Sequence, residues 1–154
     1  ENYIFGGGVY GSSGTISSTG YSYIYYNRAA SSGGGVCTLI SFDMKKGKIY
    51  GNAATYGGGI YAKAAINIYV WVQNNTATYG GGISIYSNYV DLEDGSDIYQ
   101  NSATTGGGLY VYGSASMWIL SGGDLDGNTA DNGGGMYFGG SGTMYLNGGS
   151  IWFS

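Results

Sequence analysis

The stretch Ile98-Tyr-Gln-Asn101-Ser-Ala103-Thr-Thr-Gly106-Gly-Gly-Leu109-Tyr-Val111 contains the unit that the rest of the chain repeats. The unit is an apolar residue, two variable residues, Asn, one variable residue, Ala, two variable residues, a Gly triplet and an apolar-variable-apolar segment. The triplets begin at Gly6, Gly33, Gly57, Gly80, Gly106 and Gly133, at intervals of 23–27 residues. Self-similarity at such a period is typical of a solenoid.

Three further positions recur with the triplet. The apolar anchors are Ile24, Ile49, Val72, Ile98, Leu125 and Ile151. Three residues after each anchor stand Asn27, Asn52, Asn75, Asn101 and Asn128, with Ser154 in the last repeat. The apolar residues behind the triplets are Val9, Val36, Ile60, Ile83, Leu109 and Met136. We call equivalent positions on successive coils a column, and we expect the apolar columns to face one continuous core.

Alternation of apolar and polar residues predicts three short strands in each repeat. One strand carries the anchor and the Asn, the second follows the triplet, and the third is an alternating pair such as Val90 and Leu92. No window keeps a helical period. The sequence therefore predicts an all-β, right-handed parallel β-helix (β-solenoid) of about six coils of 23–27 residues, with residues 1–154 as one array.

The Asn and Gly columns have a structural interpretation. Gly lacks a Cβ and accepts positive φ, which predicts a tight corner packed close to the next coil. The corner glycines are Gly33, Gly57, Gly80, Gly106 and Gly133. Asn amides stacked about 4.8 Å apart can hydrogen-bond to each other along the axis. We therefore expect the five Asn residues to form a ladder that fixes the register of the coils.

The unit I-x-x-N-x-A-x-x-G-G-G-apolar resembles the tandem repeats of bacterial surface β-helix proteins, including the polymorphic outer-membrane proteins of the autotransporter class with their F-x-x-N and G-G-A-apolar motifs. The resemblance covers nearly the whole chain, with Ile or Leu in place of Phe and a third Gly in place of Ala. It implies an extracellular, cell-surface β-helix that serves as a stalk or as an adhesive surface.

Composition narrows the classes of function. The formal net charge is -4, and five Lys and Arg residues are too few to neutralise nucleic-acid phosphates. No apolar run approaches the roughly 18 residues of a membrane span. Cys37 is the one Cys and has no partner for an internal disulfide, so its column leaves open a surface thiol, an intermolecular link or a partly covered side chain. Asn74 begins one N-x-T glycosylation sequon.

Acidic residues supply the weak candidates for a metal or catalytic site. They are Asp91, Glu93, Asp94, Asp97, Asp124 and Asp126. Ca²⁺ favours several carboxylate and carbonyl oxygens, but neither segment completes a calcium motif, so we expect solvated acidic turns and no cofactor. Asp97 and Asp124 share a column, and paired carboxylates serve glycoside hydrolysis. Because the chain has no His and no long insertion for a cleft, we expect no enzymatic activity.

Outward columns point to contacts with other molecules. Aromatic residues follow the first apolar residue behind the triplet and also follow the anchor, at Tyr10, Tyr61, Tyr110 and Tyr137 and at Tyr25, Tyr50, Tyr99 and Trp152. Exposed aromatic rows are typical of surfaces that contact a carbohydrate or a neighbouring filament, whereas simple cross-strand stacking is the alternative. Thr55, Thr78 and Thr104 also align, as in the flat Thr arrays of ice-binding proteins, but Ser31 and Asp131 interrupt them.

These patterns lead us to expect a structural extracellular protein, either a filament subunit or a section of a surface stalk. The half-repeats at the two ends complete each other, which predicts head-to-tail stacking of identical subunits. The predicted end contacts are Glu1, Tyr3, Ile151, Phe153 and Ser154. The alternative is an adhesin-type module that uses its Tyr face for a glycan or a cell surface, followed by a polysaccharide-active enzyme or an ice-binding protein.

Overall fold

Short β-strands make up the regular structure of the chain. The computed structural model describes residues 3–86, 89–114, 116–120 and 123–152, and no helix is present among them. The strands are β1 Tyr3–Phe5, β2 Val9–Gly11, β3 Ile16–Tyr25, β4 Ala29–Ser32, β5 Val36–Thr38, β6 Phe42–Tyr50, β7 Ala53–Tyr56, β8 Ile60–Ala62, β9 Ile66–Ile68, β10 Trp71–Gln73, β11 Thr76–Tyr79, β12 Ile83–Ile85, β13 Tyr89–Leu92, β14 Asp97–Tyr99, β15 Ser102–Thr105, β16 Leu109–Val111, β17 Ser116–Leu120, β18 Asp124–Asp126, β19 Thr129–Asn132, β20 Met136–Phe138, β21 Met144–Asn147 and β22 Ser150–Ile151.

The strands stack into three parallel sheets. Sheet A has the order β1-β4-β7-β11-β15-β19, and sheet B has the order β2-β5-β8-β12-β16-β20. Sheet C has ten strands and runs β21-β17-β13-β9-β6-β10-β14-β18-β22, with β3 also paired to β6. Six stacked strands are separated by five steps, so the fold is an all-β parallel β-solenoid of about five turns. The predicted fold class is confirmed.

The core runs along the axis between sheets B and C. The anchors Ile49, Val72, Ile98 and Leu125 have no exposed surface, and the same holds for the column behind the triplets from Val36 to Leu109. Together with inward residues such as Leu92 they form one apolar cluster. Because each coil places the same kind of side chain inward, the hydrophobic contacts continue from one coil to the next without a break.

The division of each coil into strands differs from the expectation in one respect. The sequence predicts the segment between the Asn and the triplet as part of a corner, but this segment is itself a strand and builds sheet A. The anchor segment and the third segment belong to one sheet, since β6 runs without interruption from Phe42 to Tyr50. Sheet A escaped prediction because the residues that alternate with its exposed Thr side chains, such as Ala77 between Thr76 and Thr78, are small and do not mark an apolar face as Ile or Leu would.

The described residues contain no helix that is long and apolar enough to cross a membrane.

Candidate functional site

The Asn column forms the buried ladder that the sequence predicts. Asn101 donates from Nδ2 to Asn128 Oδ1 at 3.0 Å and from its backbone N–H to the same oxygen at 3.0 Å. Its own Oδ1 accepts the backbone N–H of Asn75 at 2.9 Å and the Asn75 Nδ2 at 3.0 Å. The same pattern joins Asn27 to Asn52 and Asn52 to Asn75. At the corner, each Asn side-chain oxygen therefore takes the place of a backbone acceptor for the N–H of the neighbouring coil, and the side-chain amides join successive coils.

A second side-chain hydrogen bond links four of the five ladder residues to the preceding coil, namely Asn52, Asn75, Asn101 and Asn128. Nδ2 of Asn101 donates to the carbonyl oxygen of the anchor Val72 at 2.8 Å, and Nδ2 of Asn75 donates to Ile49 at 3.0 Å. Three coils are therefore connected through a single side chain. This arrangement satisfies polar groups that the corner removes from the sheet ladders, so the buried ladder residues Asn52, Asn75, Asn101 and Asn128 keep hydrogen-bond partners for their amides.

The glycine triplet contributes two separate properties. The first glycine of each triplet, such as Gly57 or Gly106, has φ between 63° and 68° in all five corner positions, a region that favours Gly. The second glycine of each triplet is required by the close approach of two coils, since a Cβ on Gly58 would lie 2.5 Å from the carbonyl oxygen of Gly81 on the next coil. The tight corner is therefore set by both backbone conformation and inter-coil distance.

One corner position was missed by the sequence reasoning. The residue directly before each ladder Asn has a positive φ: Gly51 and Gly127 at 65° and 55°, and Tyr26, Asn74 and Gln100 all at 53°. The two glycines in this column were the available signal, but the three larger residues concealed it. Asn tolerates this region of φ, whereas Tyr and Gln rarely adopt it, so Tyr26 and Gln100 are the strained members of this column.

The aromatic column on sheet B is largely covered, which corrects part of the prediction. Tyr61 was expected to be a surface contact and is 7% exposed, and Cys37 in the same column is 1% exposed. Cys37 is therefore not a surface thiol, and burial raises its pKa to about 11. In the same column Tyr10 and Tyr137 stay exposed, whereas Tyr110 is partly buried.

Tyrosines from outside the column provide this cover. Tyr56 and Tyr79 from sheet A stack with ring centroids 4.9 Å apart, and Tyr79 lies 5.1 Å from Tyr110. Tyr112 completes the layer, with its hydroxyl 3.4 Å from that of Tyr61. Tyr56 and Tyr79 directly precede Gly triplets, and this was the signal in the sequence. Burial raises the pKa of Tyr112, as expected for a second, external aromatic layer on sheet B.

The aromatic column on sheet C remains accessible at both ends. Tyr25 and Tyr50 stack at 5.2 Å with nearly parallel rings, and Tyr26 meets both edge-on. Trp152, at the far end of the column, is 62% exposed, whereas Tyr99 in the middle is partly buried. At the first coils the exposed rings of this group are those of Tyr25 and Tyr26.

A cluster of lysines lies on the outer face of sheet C and was not singled out from the sequence. Lys45 and Lys48 place their ammonium groups 3.9 Å and 4.1 Å from the ring centroids of Tyr69 and Trp71. Lys46 lies 5.8 Å from the ring of Tyr21. Together these residues line a shallow groove of about 350 Å³. Cation–π contacts of this kind hold the ammonium groups at the surface of the sheet.

Acidic side chains occupy the other half of the same sheet. Asp97 pairs in register with Asp124, which confirms that the two carboxylates share a column. The pKa of Asp97 is raised to about 6 by burial and, to a smaller extent, by the charges of Asp124 and Asp126. Burial, followed by the neighbouring Glu93, also raises the pKa of Asp91.

The candidate calcium ligands do not assemble into a site. Within the described residues no group of three or more His, Cys, Asp or Glu side chains could hold a metal ion. Asp94 is exposed in the turn between β13 and β14, away from the partly buried Asp97. The acidic residues therefore form a charged surface and not a coordination sphere.

Hydroxyl side chains cover the outer face of sheet A. Thr76, Ser102 and Thr129 stand in register, and Thr78 and Thr104 are exposed beside them. Thr55 donates its hydroxyl to the carbonyl oxygen of Ala30 at 2.9 Å. Asp131 ends this second column, so the array is short. The arrangement is regular but narrower than an extended flat hydroxyl face.

Two of the five predicted end contacts lie within the described residues. Tyr3 lies in β1 and pairs with Ala29, while Ile151 lies in β22, pairs with Leu125 and is partly buried. Glu1, Phe153 and Ser154 lie outside the described residues.

Comparison of the chain with protein families, curated proteins and solved structures yields no match. No family is identified. The structure supports the resemblance to bacterial surface repeat proteins only at the level of the parallel β-solenoid fold.

Proposed function

We propose that the protein is a structural, non-enzymatic β-solenoid rod whose layers continue end to end by addition of identical subunits. The observation that carries this proposal is the open core at one end. Leu146 is 51% exposed although it occupies the inward column in which Leu92 is fully buried. Met144, Met136 and Ile151 are also only partly covered or exposed. A further layer, whether from the same chain or from a second copy, would bury all of these side chains, and the proposal is that a second copy supplies it.

The backbone supports the same proposal. Strands of a parallel sheet bond to a neighbour on each side, and the outermost strands at this end, β19, β20, β21 and β22, each have a single partner strand among the described residues. An open edge of this kind recruits another strand unless it is blocked by charge or Pro, and the sequence contains no Pro. Stacking of one end on the other is a heterologous contact that does not close, and it therefore produces a fibre.

An extracellular location belongs to the same proposal. It is supported by the resemblance of the repeat to bacterial surface proteins. A rod whose length depends on the number of coils is suited to spanning a distance outside the cell.

The experiment compares two neighbouring substitutions by electron microscopy and sedimentation velocity. Leu146→Lys places a charge in the inward column of the last layer, whereas Tyr145→Lys places the same charge on the outward face, at a similar exposure of 48%. We expect wild type and Tyr145→Lys to form fibres and Leu146→Lys to remain as short rods with an unchanged circular dichroism spectrum. Rods of a single subunit in concentrated wild type would overturn the proposal.

Carbohydrate binding is the second candidate. The groove beside Trp71, Tyr69 and Tyr21 favours it, because exposed aromatic rings stack on sugar rings. Quenching or enhancement of Trp fluorescence by oligosaccharides, lost in Trp71→Ala, would support an adhesin-type role. Unchanged fluorescence across neutral and anionic oligosaccharides would exclude it.

A further inference from the structure

The outer face of sheet C is divided by charge along the solenoid axis. One outward column reads Tyr23, Lys48, Trp71, Asp97, Asp124 and Ser150, in the order given by the strand register. Three of the five basic residues of the chain, Lys45, Lys46 and Lys48, lie in the first half of this face. Six of its nine acidic residues lie in the second half, namely Asp91, Glu93, Asp94, Asp97, Asp124 and Asp126.

Within the chain these charges are poorly neutralised. Lys45 forms a salt bridge of 3.0 Å with Asp43, whereas Lys48 lies over the ring of Trp71 and pairs with no carboxylate in the part of the chain that the structure describes. Asp97 Oδ1 has almost no contact with solvent and has no hydrogen-bond partner in the described part of the chain. Like charges directly opposite on neighbouring strands, as at Asp97 and Asp124, are destabilising. The approach of cationic groups therefore reduces the electrostatic repulsion within the acidic half.

We propose that this face is self-complementary and pairs with the same face of a second copy whose axis runs in the opposite direction. In this arrangement Lys48 of each copy lies opposite Asp124 of the other. The pairing is a lateral contact between rods and does not depend on the end-to-end stacking proposed above.

The column register selects the antiparallel direction. Lys48 and Asp124 are three strands apart, roughly 14 Å at a strand spacing of about 4.8 Å. A two-fold axis parallel to the strands, midway between the Trp71 and Asp97 strands, keeps each column on itself and reverses the order of its members. It therefore exchanges Lys48 with Asp124 and Trp71 with Asp97. A parallel alignment would instead place Lys48 against the same half of the partner, where lysines predominate.

The neighbouring column agrees with this axis. It reads Tyr25, Tyr50, Gln73, Tyr99 and Asp126, so the same operation places the hydroxyl-bearing Tyr50 opposite Asp126. Such an isologous contact uses each favourable pair twice, as two-fold interfaces do.

The size of the face sets the expected strength of pairing. Five strand steps along the axis and eight residues across sheet C give an area of roughly 24 Å by 26 Å, on the order of 600 Å² for each partner. This value lies at the lower end of specific interfaces. We therefore expect reversible pairing that weakens strongly with salt, since charges across the contact supply much of its specificity.

A second copy fits the surface better than an anionic polysaccharide does. A polyanion would contact the three lysines but would be repelled by the six carboxylates beyond them. A copy of the same face supplies both signs of charge at the required spacing.

The test uses charge reversal and mixing, measured by sedimentation equilibrium in the Leu146→Lys background so that end-to-end stacking does not contribute. Lys48→Glu and Asp124→Lys each create two like-charge contacts in the pair, and we expect each variant to weaken dimerisation at least tenfold. Mixed in equal amounts, the two variants regain both opposite-charge contacts, and we expect a heterodimer with an affinity close to that of the parent. Asp131→Lys makes the same charge change as Asp124→Lys on the outer face of sheet A and should leave dimerisation unchanged.

Weakened dimerisation in each variant alone together with rescue on mixing would establish the antiparallel contact. In a parallel pair Lys48 already faces Lys48, so neither variant alone would lose an opposite-charge contact, and unfolding would not be reversed by mixing. The proposal is overturned if the parent stays monomeric at about 20 mM salt, if the mixture stays monomeric, or if the chain binds dextran sulfate without dimerising. Because the Leu146→Lys background removes stacking, absence of fibres in wild type and absence of lateral dimers are separate results.

Discussion

Asn101→Ala should destabilise the solenoid far more than the same change at the end of the ladder. The buried Asn101 side chain makes four hydrogen bonds, two accepted from Asn75 and two donated, to Val72 and to Asn128. After truncation the Nδ2 of Asn75 keeps its bond to Ile49, but the backbone N–H of Asn75 loses its acceptor inside the core.

The structure gives the magnitude. An unsatisfied buried N–H costs about 1–3 kcal/mol, and each other lost hydrogen bond costs about 0.5–1.5 kcal/mol, so the total is on the order of 4 kcal/mol. Asn27 is the matched control, because its side chain donates to Asn52 and to Tyr25 at a partly exposed position. Its truncation orphans no buried backbone N–H, and we expect Asn27→Ala to cost about 1 kcal/mol.

Urea unfolding followed by circular dichroism would measure both free energies, and amide hydrogen exchange would report on the N–H of Asn75 directly. We expect that amide to lose protection in Asn101→Ala and to keep it in Asn27→Ala. Equal destabilisation by the two substitutions, within about 0.5 kcal/mol, would refute the assignment of the ladder as the element that fixes register.

Four further substitutions or reagents test the remaining structural claims. Gly107→Val forces a side chain against the carbonyl oxygen of the glycine on the next coil and should cost about 3 kcal/mol or more in unfolding free energy, whereas Gly20→Ala, with open space around it, should be nearly neutral. The Cys37 thiol, buried and with a pKa raised to about 11, should react with Ellman's reagent only as fast as the chain unfolds. The pKa of Asp97 is raised from 3.8 to about 6, so the folded chain binds the carboxyl proton of Asp97 more tightly than the unfolded chain does. The protonated Asp97 therefore contributes its full stabilisation below pH 3.8, and this stabilisation is lost as the pH rises through 6. Asp97→Asn should therefore flatten this pH dependence and raise stability at about pH 7 by about 1 kcal/mol after allowance for solvent screening, and equal pH profiles in chemical denaturation would contradict it. Gln100→Gly relieves the strain of a φ of 53° and should increase the free energy of unfolding by about 0.5 kcal/mol, which a slightly higher melting temperature would show. A lower melting temperature would show that the Gln side chain stabilises the corner.

The sequence predicted the features that repeat with every coil. The anchor column, the column behind the triplet and the Asn ladder recur at every turn, so a single interpretation of Ile98 and Asn101 applies to all coils. Repetition also determines the register, because a shift would move buried Asn amides away from each other. For that reason the fold class could be predicted without the coordinates.

Exposure could not be predicted in the same way. Alternation identifies which face a side chain takes but does not reveal whether another segment covers that face. Tyr61 and Cys37 point away from the core as expected, yet Tyr56, Tyr79 and Tyr112 build a second layer over them. The contact between these tyrosines joins three different segments of the coil, and no local pattern encodes it.

The charged face escaped prediction for a related reason. The Gly in Lys46-Gly47-Lys48 is typical of a turn in the linear sequence, but β6 runs through this segment, and the register places Lys48 beside Trp71 and in one column with Asp97. A column joins residues that are 23–27 positions apart, so its charge pattern appears only after the coils are aligned.

The length of the coils varies mainly in the connections outside the Asn–Gly corner. Four of the five segments from ladder Asn to triplet have equal length, as from Asn101 to Gly106, and the segment from Asn27 to Gly33 is one residue longer. The register shift between β1 and β4 falls at this extra residue. The connections between sheets B and C and those within sheet C vary more, from Ile68–Trp71 to Phe138–Met144. Because these connections lie outside the Asn–Gly corner, their lengths change without displacing the outward columns. The charges at Lys48 and Asp124 therefore stay aligned over coils of unequal length, which is the condition that a self-complementary face requires.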